Sequence, residues 1–400
     1  MNFFKRIIIP ILSISILFSC TGNGIEPDNV KVEPGLELQF SEVSGAKGYM
    51  FVNVEASGQW ELKLEYEQEE TTGQWASLSQ TSGNGTKKSI VLSYQAYSGA
   101  SGRTLEVVLS ASGKAIRKSL YQGRKKSVAM QATAPVSWIE LPETNEKDGL
   151  DWGMVEMAST PGMRSYSYYW DYDNMVAHWV AYPLNRGLIG AGSGGRTDAW
   201  GLDPNLPQEH QPVLYESWGV GWLDRGHQIP SADRLRDGDN QQTFYGTNMT
   251  PQIGKKFNQG IWAKLEGKVR SWSDKYDTLY VVTGCVVKQN STQGKYNQVG
   301  GYVFDNDRKR VAVPTAYYKA VLGYKESSST YGYGGYCGAA IYYDHEDIYD
   351  TGIYASDLIS IRELEEKLGY KLFVNLSKKI SEEQVEKVKT QDPSKVAVWK

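Results

Sequence analysis

Asp224-Arg225-Gly226-His227-Gln228-Ile229-Pro230 opens the stretch that decides the fold. Asn248-Met249-Thr250-Pro251-Gln252 and Phe257-Asn258-Gln259-Gly260-Ile261-Trp262-Ala263-Lys264-Leu265-Glu266 close it. Trp218, Val220, Trp222 and Leu223 read as a strand running into Asp224. Gly226 then lets the backbone turn sharply where His227 is presented, which predicts an imidazole at a strand end and not inside a core. From Asn258 the period becomes helical. Ile261, Trp262, Leu265, Val269 and Trp272 fall on one apolar stripe, while Lys264, Lys268 and Arg270 point elsewhere. On a continuous helix Asn258 and Glu266 differ by about 80° around the axis and roughly 12 Å along it. They share a face without gripping one ion together, and Glu266, leaning toward the helix N-terminus, can hold a water that the ion carries. One amide ligand with an outer carboxylate suits magnesium, which keeps several of its waters.

In this order and at this spacing the three motifs resemble the DNA/RNA non-specific endonuclease family, whose active site is a ββα-metal finger. The likeness covers residues 166–376. It implies that His227 is the general base, that Asn258 is the sole side-chain ligand of one Mg2+, with Mn2+ as a substitute, and that Glu266 orients metal-bound water. Arg196-Thr197-Asp198-Ala199-Trp200, with Asp203-Pro204 beyond, is similar to the segment that supplies the family's phosphate-binding arginine, here Arg196. Asp224 is expected to fix the turn and Arg225 to brace the finger, neither of them catalytic. The substrates implied are DNA and RNA, gripped by their phosphates and so cut without sequence preference.

Composition is compatible with that reading. A formal charge of −3 over 400 residues gives no global basic field, so attraction for a polyanion has to be local. Arg225, Lys255, Lys256, Lys264, Lys268 and Arg270 gather around the expected site. The glycines between positions 187 and 195 lack the phosphate-loop pattern and read as a loop delivering Arg196.

Residues 1–20 carry Lys5 and Arg6 followed by an apolar run, the form of a secretory signal, and end in Leu17-Phe18-Ser19-Cys20, which resembles a bacterial lipobox. Acylation of Cys20 would hold the chain on a membrane of the cell envelope, the face being left open. Residues 21–37 read as a tether and 38–122 as short strands between turn clusters. Gly58-Gln59-Trp60, Gln74-Trp75, Gly83-Asn84-Gly85, Arg103-Thr104-Leu105 and Gln122 together resemble the BACON-type immunoglobulin-like domain of Bacteroidetes surface proteins. Such domains serve as spacers or glycan binders, so a glycan contact is an expectation for this one, with Trp60 and Trp75 expected in its core.

Residues 123–150 read as a linker and 151–400 as the catalytic domain, with strand runs at 279–284 and 311–321 that resemble the family's central sheet. The fold class is therefore α+β: a finger nuclease domain with a central antiparallel sheet flanked by helices, preceded by a small all-β immunoglobulin-like sandwich. His178 reads as a packed or interface histidine, and His210 and His345 as residues of solvated loops. Cys285 and Cys337 either pair or sit apart as small buried hydrophobes. The competing function is a catalytically silent surface adhesin or glycan-binding lipoprotein on a nuclease scaffold. A nuclease-fold enzyme acting on another phosphodiester is a further alternative.

Overall fold

The computed structural model describes residues 33–39, 42–43, 48–66, 74–95, 103–122, 130–326, 333–347 and 352–399. The signal segment with Cys20, most of the tether and the first part of the linker lie outside the described residues.

Six strands form the central sheet in the order Asp151–Glu156, Arg164–Asp171, Val176–Leu184, Thr278–Val286, Ala316–Tyr324 and Tyr336–Asp344, each antiparallel to its neighbours. Both faces are covered, which explains why its inner strands read as continuous apolar runs. Successive side chains on a strand point to opposite faces. Leu279 and Val281 accordingly enter one core with Tyr317 and Val321, whereas Val282 enters another with Tyr318, Ala320 and Leu322. The helices Ile361–Leu368 and Glu382–Thr390 close the second face through Leu364 and Val388. Ser360 caps the first of them by accepting from the Glu363 N–H. Between the third and fourth strands the chain leaves the sheet over residues 185–277, and the whole candidate site is built on that excursion and laid against the first face.

Two expectations need correction here. Residues 138–142, within the stretch read as a linker, are packed: Leu141 is fully buried, and buried Glu140 accepts from Nε and a terminal nitrogen of the Arg164 guanidinium. The run 311–321 is two strands, because Pro314 interrupts it; Arg310–Ala312 pairs instead with Tyr302–Phe304.

Ahead of this domain stand a four-stranded and a five-stranded sheet, running from Gly35–Leu38 to Lys114–Gln122. They share a core of Val52, Leu62, Leu92, Leu109 and Leu120, in which Trp60 and Trp75 are both buried. The unit rests directly on the catalytic domain. Tyr49 and Phe51 join the larger core, and buried Gln39 donates to the Ala199 carbonyl at 2.7 Å while accepting from the Phe51 N–H at 2.9 Å.

Candidate active site

Leu223–His227 and Met249–Ile253 form an antiparallel pair, with His227 opposite Met249 at its end. The strand begins at Leu223, and residues 218–222 are turns, not its extension. Gly226 makes no sharp turn. Its role is space: a Cβ there would lie 2.3 Å from the Gln252 side chain, which packs across the strand at that point. Asn248 then fixes the chain beyond His227 by accepting from the Ile229 N–H at 2.9 Å and donating to the Ile229 and Thr243 carbonyls.

His227 stands at a strand end as expected, yet it is buried, with its ring edge-on to Trp200 at 5.7 Å and Phe244 at 4.8 Å. Its Nε2 is enclosed and has no hydrogen-bond partner among the described residues. Burial, then the Arg196 and Arg225 guanidinium groups, lower its pKa from 6.5 to about 3. The imidazole is uncharged at neutral pH, with a bare nitrogen available.

Residues Gly254–Trp262 wind as a wide, π-type segment that breaks at Gly260 (φ −104°, ψ −108°), and a regular helix follows at Ala263–Ser273. The continuous helix expected between Asn258 and Glu266 is therefore interrupted, and their relative placement follows the break rather than 3.6-residue arithmetic. The apolar stripe holds on both sides of it: Ile261, Trp262, Leu265, Val269 and Trp272 are all buried. Asp224 does not fix a turn. Its Oδ2 accepts from Asn258 Nδ2 at 2.9 Å and from Gln259 Nε2 at 2.8 Å. Because the amide nitrogen is engaged, the Asn258 oxygen is left without a protein hydrogen bond among the described residues.

That oxygen is the right donor for a hard cation, and among the described residues no cluster of three or more His, Cys, Asp or Glu competes with it. The donor set thus fits a divalent ion that keeps most of its own water. Glu266 adds a carboxylate to which no protein group donates among the described residues. Burial raises its pKa above the ordinary 4.5, against the opposing pull of Lys319. Lys319, buried in mid-sheet, donates to Thr283 Oγ1 at 2.9 Å with its ammonium 4.6 Å from the Trp262 ring; burial lowers its pKa.

Residues 158–379 match the family model described as DNA/RNA non-specific endonuclease, a span of more than half the chain. The chain is similar to Nuclease C1 of Cunninghamella echinulata var. echinulata, 34% identical over 176 residues that cover 43% of this chain and 68% of that protein. It is also similar to the nuclease of Serratia marcescens, 31% identical over 151 residues covering 36% and 52%, and to that of Syncephalastrum racemosum, 29% identical over 226 residues covering 54% and 70%. A solved structure of an EndoG/EndoGI complex aligns with a TM-score of 0.44 at 23% identity, over 58% of this chain and 89% of that one. The chain belongs to the DNA/RNA non-specific endonuclease family. The endonuclease is thus a nucleic-acid-hydrolysing enzyme of a divalent-metal-dependent family.

The other residues of the endonuclease sort themselves around this centre. Arg196 is half exposed, bound to Asp198 at 2.9 Å and to Ser231 Oγ at 3.3 Å, and its charge reaches both His227 and Glu266. Arg225 braces the finger as expected, donating to the Leu214 carbonyl at 2.8 Å and stacking on Trp200 at 3.6 Å. Asp233 was not legible as a site residue, and it organises the far wall. It accepts from Arg270 and from the Tyr182 hydroxyl, both at 2.9 Å. Lys319 was missed as well, although a lysine inside Tyr317-Tyr318-Lys319-Ala320-Val321 is the kind of buried charge that marks a functional site.

His345 is not on a solvated loop. It is buried behind the finger, its Nδ1 hydrogen donating to the Pro314 carbonyl at 2.8 Å and its Nε2 accepting from the Ile253 N–H at 2.7 Å. His178 is half-buried and bound to Asp171 at 2.9 Å, away from the finger, as a packed histidine would be. Cys285 and Cys337 are both buried and free.

Proposed function

We propose that this endonuclease hydrolyses phosphodiester bonds of DNA and RNA without sequence preference, with His227 as general base and Asn258 holding one hydrated Mg2+, for which Mn2+ can substitute. The observation that carries the proposal is a neutral His227 whose Nε2 has no partner among the described residues, on the same finger as an Asn258 amide oxygen likewise without a protein hydrogen bond among them. A water presented to the unprotonated nitrogen of the imidazole loses its proton there as its oxygen attacks phosphorus and the bond to the departing oxygen breaks. Buried and beside two guanidinium groups, the imidazole is a weak base. The anionic phosphate counters the two arginines and raises its affinity for that proton at the moment it is needed. Arg196 binds the phosphate oxygens, and Glu266, free of protein donors, orients water. Asn258 would hold a divalent cation, which when bound would supply positive charge to the reacting phosphate.

The test is cleavage of plasmid and total RNA by the purified chain with magnesium, with EDTA, and with magnesium restored. Loss and recovery are expected. Undiminished cutting in EDTA would eliminate the metal-dependent reading, and no cutting under any condition would favour a silent scaffold.

The location is part of the same reading. The charged and apolar segment ahead of Cys20 supports an exported chain acylated at that residue, with the N-terminal unit as an immunoglobulin-like spacer. A clickable palmitate should label the protein in growing cells. The label should vanish in Cys20→Ala, and an unlabelled wild type would refute the anchor.

A further inference from the structure

The hairpin of Tyr302–Phe304 and Arg310–Ala312 has a core face and an outer face. Val303 and Val311 are fully buried, and alternation turns Tyr302 and Phe304 outward, where a strand of this kind ordinarily carries polar residues. Tyr296, 49% exposed, completes the outer face, with its ring 5.8 Å from that of Tyr302 and 5.4 Å from that of Phe304. Cations sit on the same surface: the Arg308 guanidinium lies 4.7 Å from the Phe304 ring and that of Arg310 4.6 Å from the Tyr302 ring. Arg308, Arg310 and Lys295 have no carboxylate partner among the described residues. The neighbouring Asp305 and Asp307 are matched by Lys309, at 2.9 and 3.6 Å.

Folding does not need this arrangement. Three aromatic rings gathered at the surface are costly to solubility unless something covers them, and three cations without carboxylate partners, in a chain of net charge −3, make that surface locally positive. The patch adjoins the finger. Asn297, next to Tyr296, accepts from Trp222 Nε1, and the Trp222 carbonyl accepts from Gly254 N–H at 2.9 Å at the start of the segment that carries Asn258.

We propose that this surface is a stacking platform for unpaired bases of the substrate, with Tyr296 as its exposed ring and Lys295, Arg308 and Arg310 along the phosphates. Rings offer every base a π-face and cations offer the backbone a track, so the platform binds single strands without reading sequence. It rests on the endonuclease reading and extends it: the enzyme grips single-stranded nucleic acid beyond the scissile phosphate, and grips a duplex, whose bases are already stacked, less well.

The experiment measures binding of a fluorescein-labelled thymidine dodecamer and of a labelled duplex of the same length, in magnesium, with the full chain carrying His227→Ala so that the probes survive. Adding Tyr296→Ala should weaken dodecamer binding about tenfold with little effect on the duplex. Adding Arg308→Ala should lower the salt slope of dodecamer binding by about 0.7. Both residues are exposed, and unchanged melting temperatures would show that the fold is intact. Dodecamer affinity equal to that of the parent in both variants, or an equal loss on the duplex, would overturn the platform while wild-type cleavage of plasmid leaves the endonuclease reading standing. A wild type that neither cuts nor binds would remove both.

Discussion

His227 and His345 stand on opposite sides of one finger, and both are buried imidazoles whose pKa burial pulls down, to about 3 and about 4. They differ in their nitrogens. His345 has both engaged, one donating to Pro314 and the other accepting from Ile253. His227 has an enclosed Nε2 with no partner among the described residues. An enclosed polar atom left unpaired costs about 1–3 kcal/mol, and the indole nitrogens of Trp262 and Trp272 share that condition, so it is the place of His227 on the motif strand that gives its unpaired nitrogen a meaning. The difference teaches that burial and a depressed pKa do not by themselves distinguish a working histidine from a structural one, and that the partners of each ring nitrogen have to be read together with the ring's place on the finger.

The largest effect that can break this comparison is on rate. His227→Ala should lower turnover by about 10²–10⁴-fold, because it removes proton transfer and leaves Asn258 and its Asp224 support in place. Half-saturation in magnesium should stay near the wild-type value. The same change removes no protein hydrogen bond of the ring, so Tm should move less than it does for a bonded histidine. A His227→Ala protein that cuts DNA at the wild-type rate would end the assignment of the base, and initial rates measured beside melting curves decide it.

This division was only half legible in the sequence. The motif around His227 and the apolar stripe of the finger helix could be read directly, since short-range spacing and period encode them. The apolar strand run at 279–284 was legible for the same reason, whereas its antiparallel place in a central sheet came from the family resemblance. The break at Gly260 was not, because a glycine inside a helical pattern gives the same signal whether the helix continues or kinks there. Asp224 was misread as a turn residue because its partners, Asn258 and Gln259, lie more than thirty positions away and only the fold brings them together. His345 was misplaced for a related reason. Asp344 and Glu346 beside it look like solvent-facing sequence, whereas its own ring turns inward between Phe257 and Tyr317. The packed stretch 138–142 hid among the prolines and polar residues around it, which resemble a linker until Leu141 is seen to have no exposure.

The smaller effect, and the sharper one, concerns His345. Ile253 ends the second finger strand, immediately before the segment that holds Asn258, so the bond from its N–H to His345 sets where that segment begins. His345→Ala leaves the Ile253 N–H and the Pro314 carbonyl buried without a partner and opens a void beside Phe257, and should cost about 3 kcal/mol in stability. That corresponds to a fall in Tm of roughly 6–12 °C for a domain of this size. Turnover per folded molecule should fall only a few-fold, with a higher magnesium requirement, because the defect reaches Asn258 through the backbone. The pH dependence separates this role from packing alone. Folding holds the His345 pKa at about 4 against 6.5 for a free imidazole, so the unfolded chain binds the extra proton first as pH falls. Stability from this residue is complete above pH 6.5 and is lost between 6.5 and 4, by about 3 kcal/mol in all. A protonated ring cannot accept from Ile253, so the loss is built into the bond itself. His227 contributes in the same direction, and the comparison is therefore made between variants: the slope of stability against pH from 4 to 6.5 should be shallower in His345→Ala than in wild type by close to one proton. Parallel curves for the two proteins would mean that His345 is not held neutral by the finger.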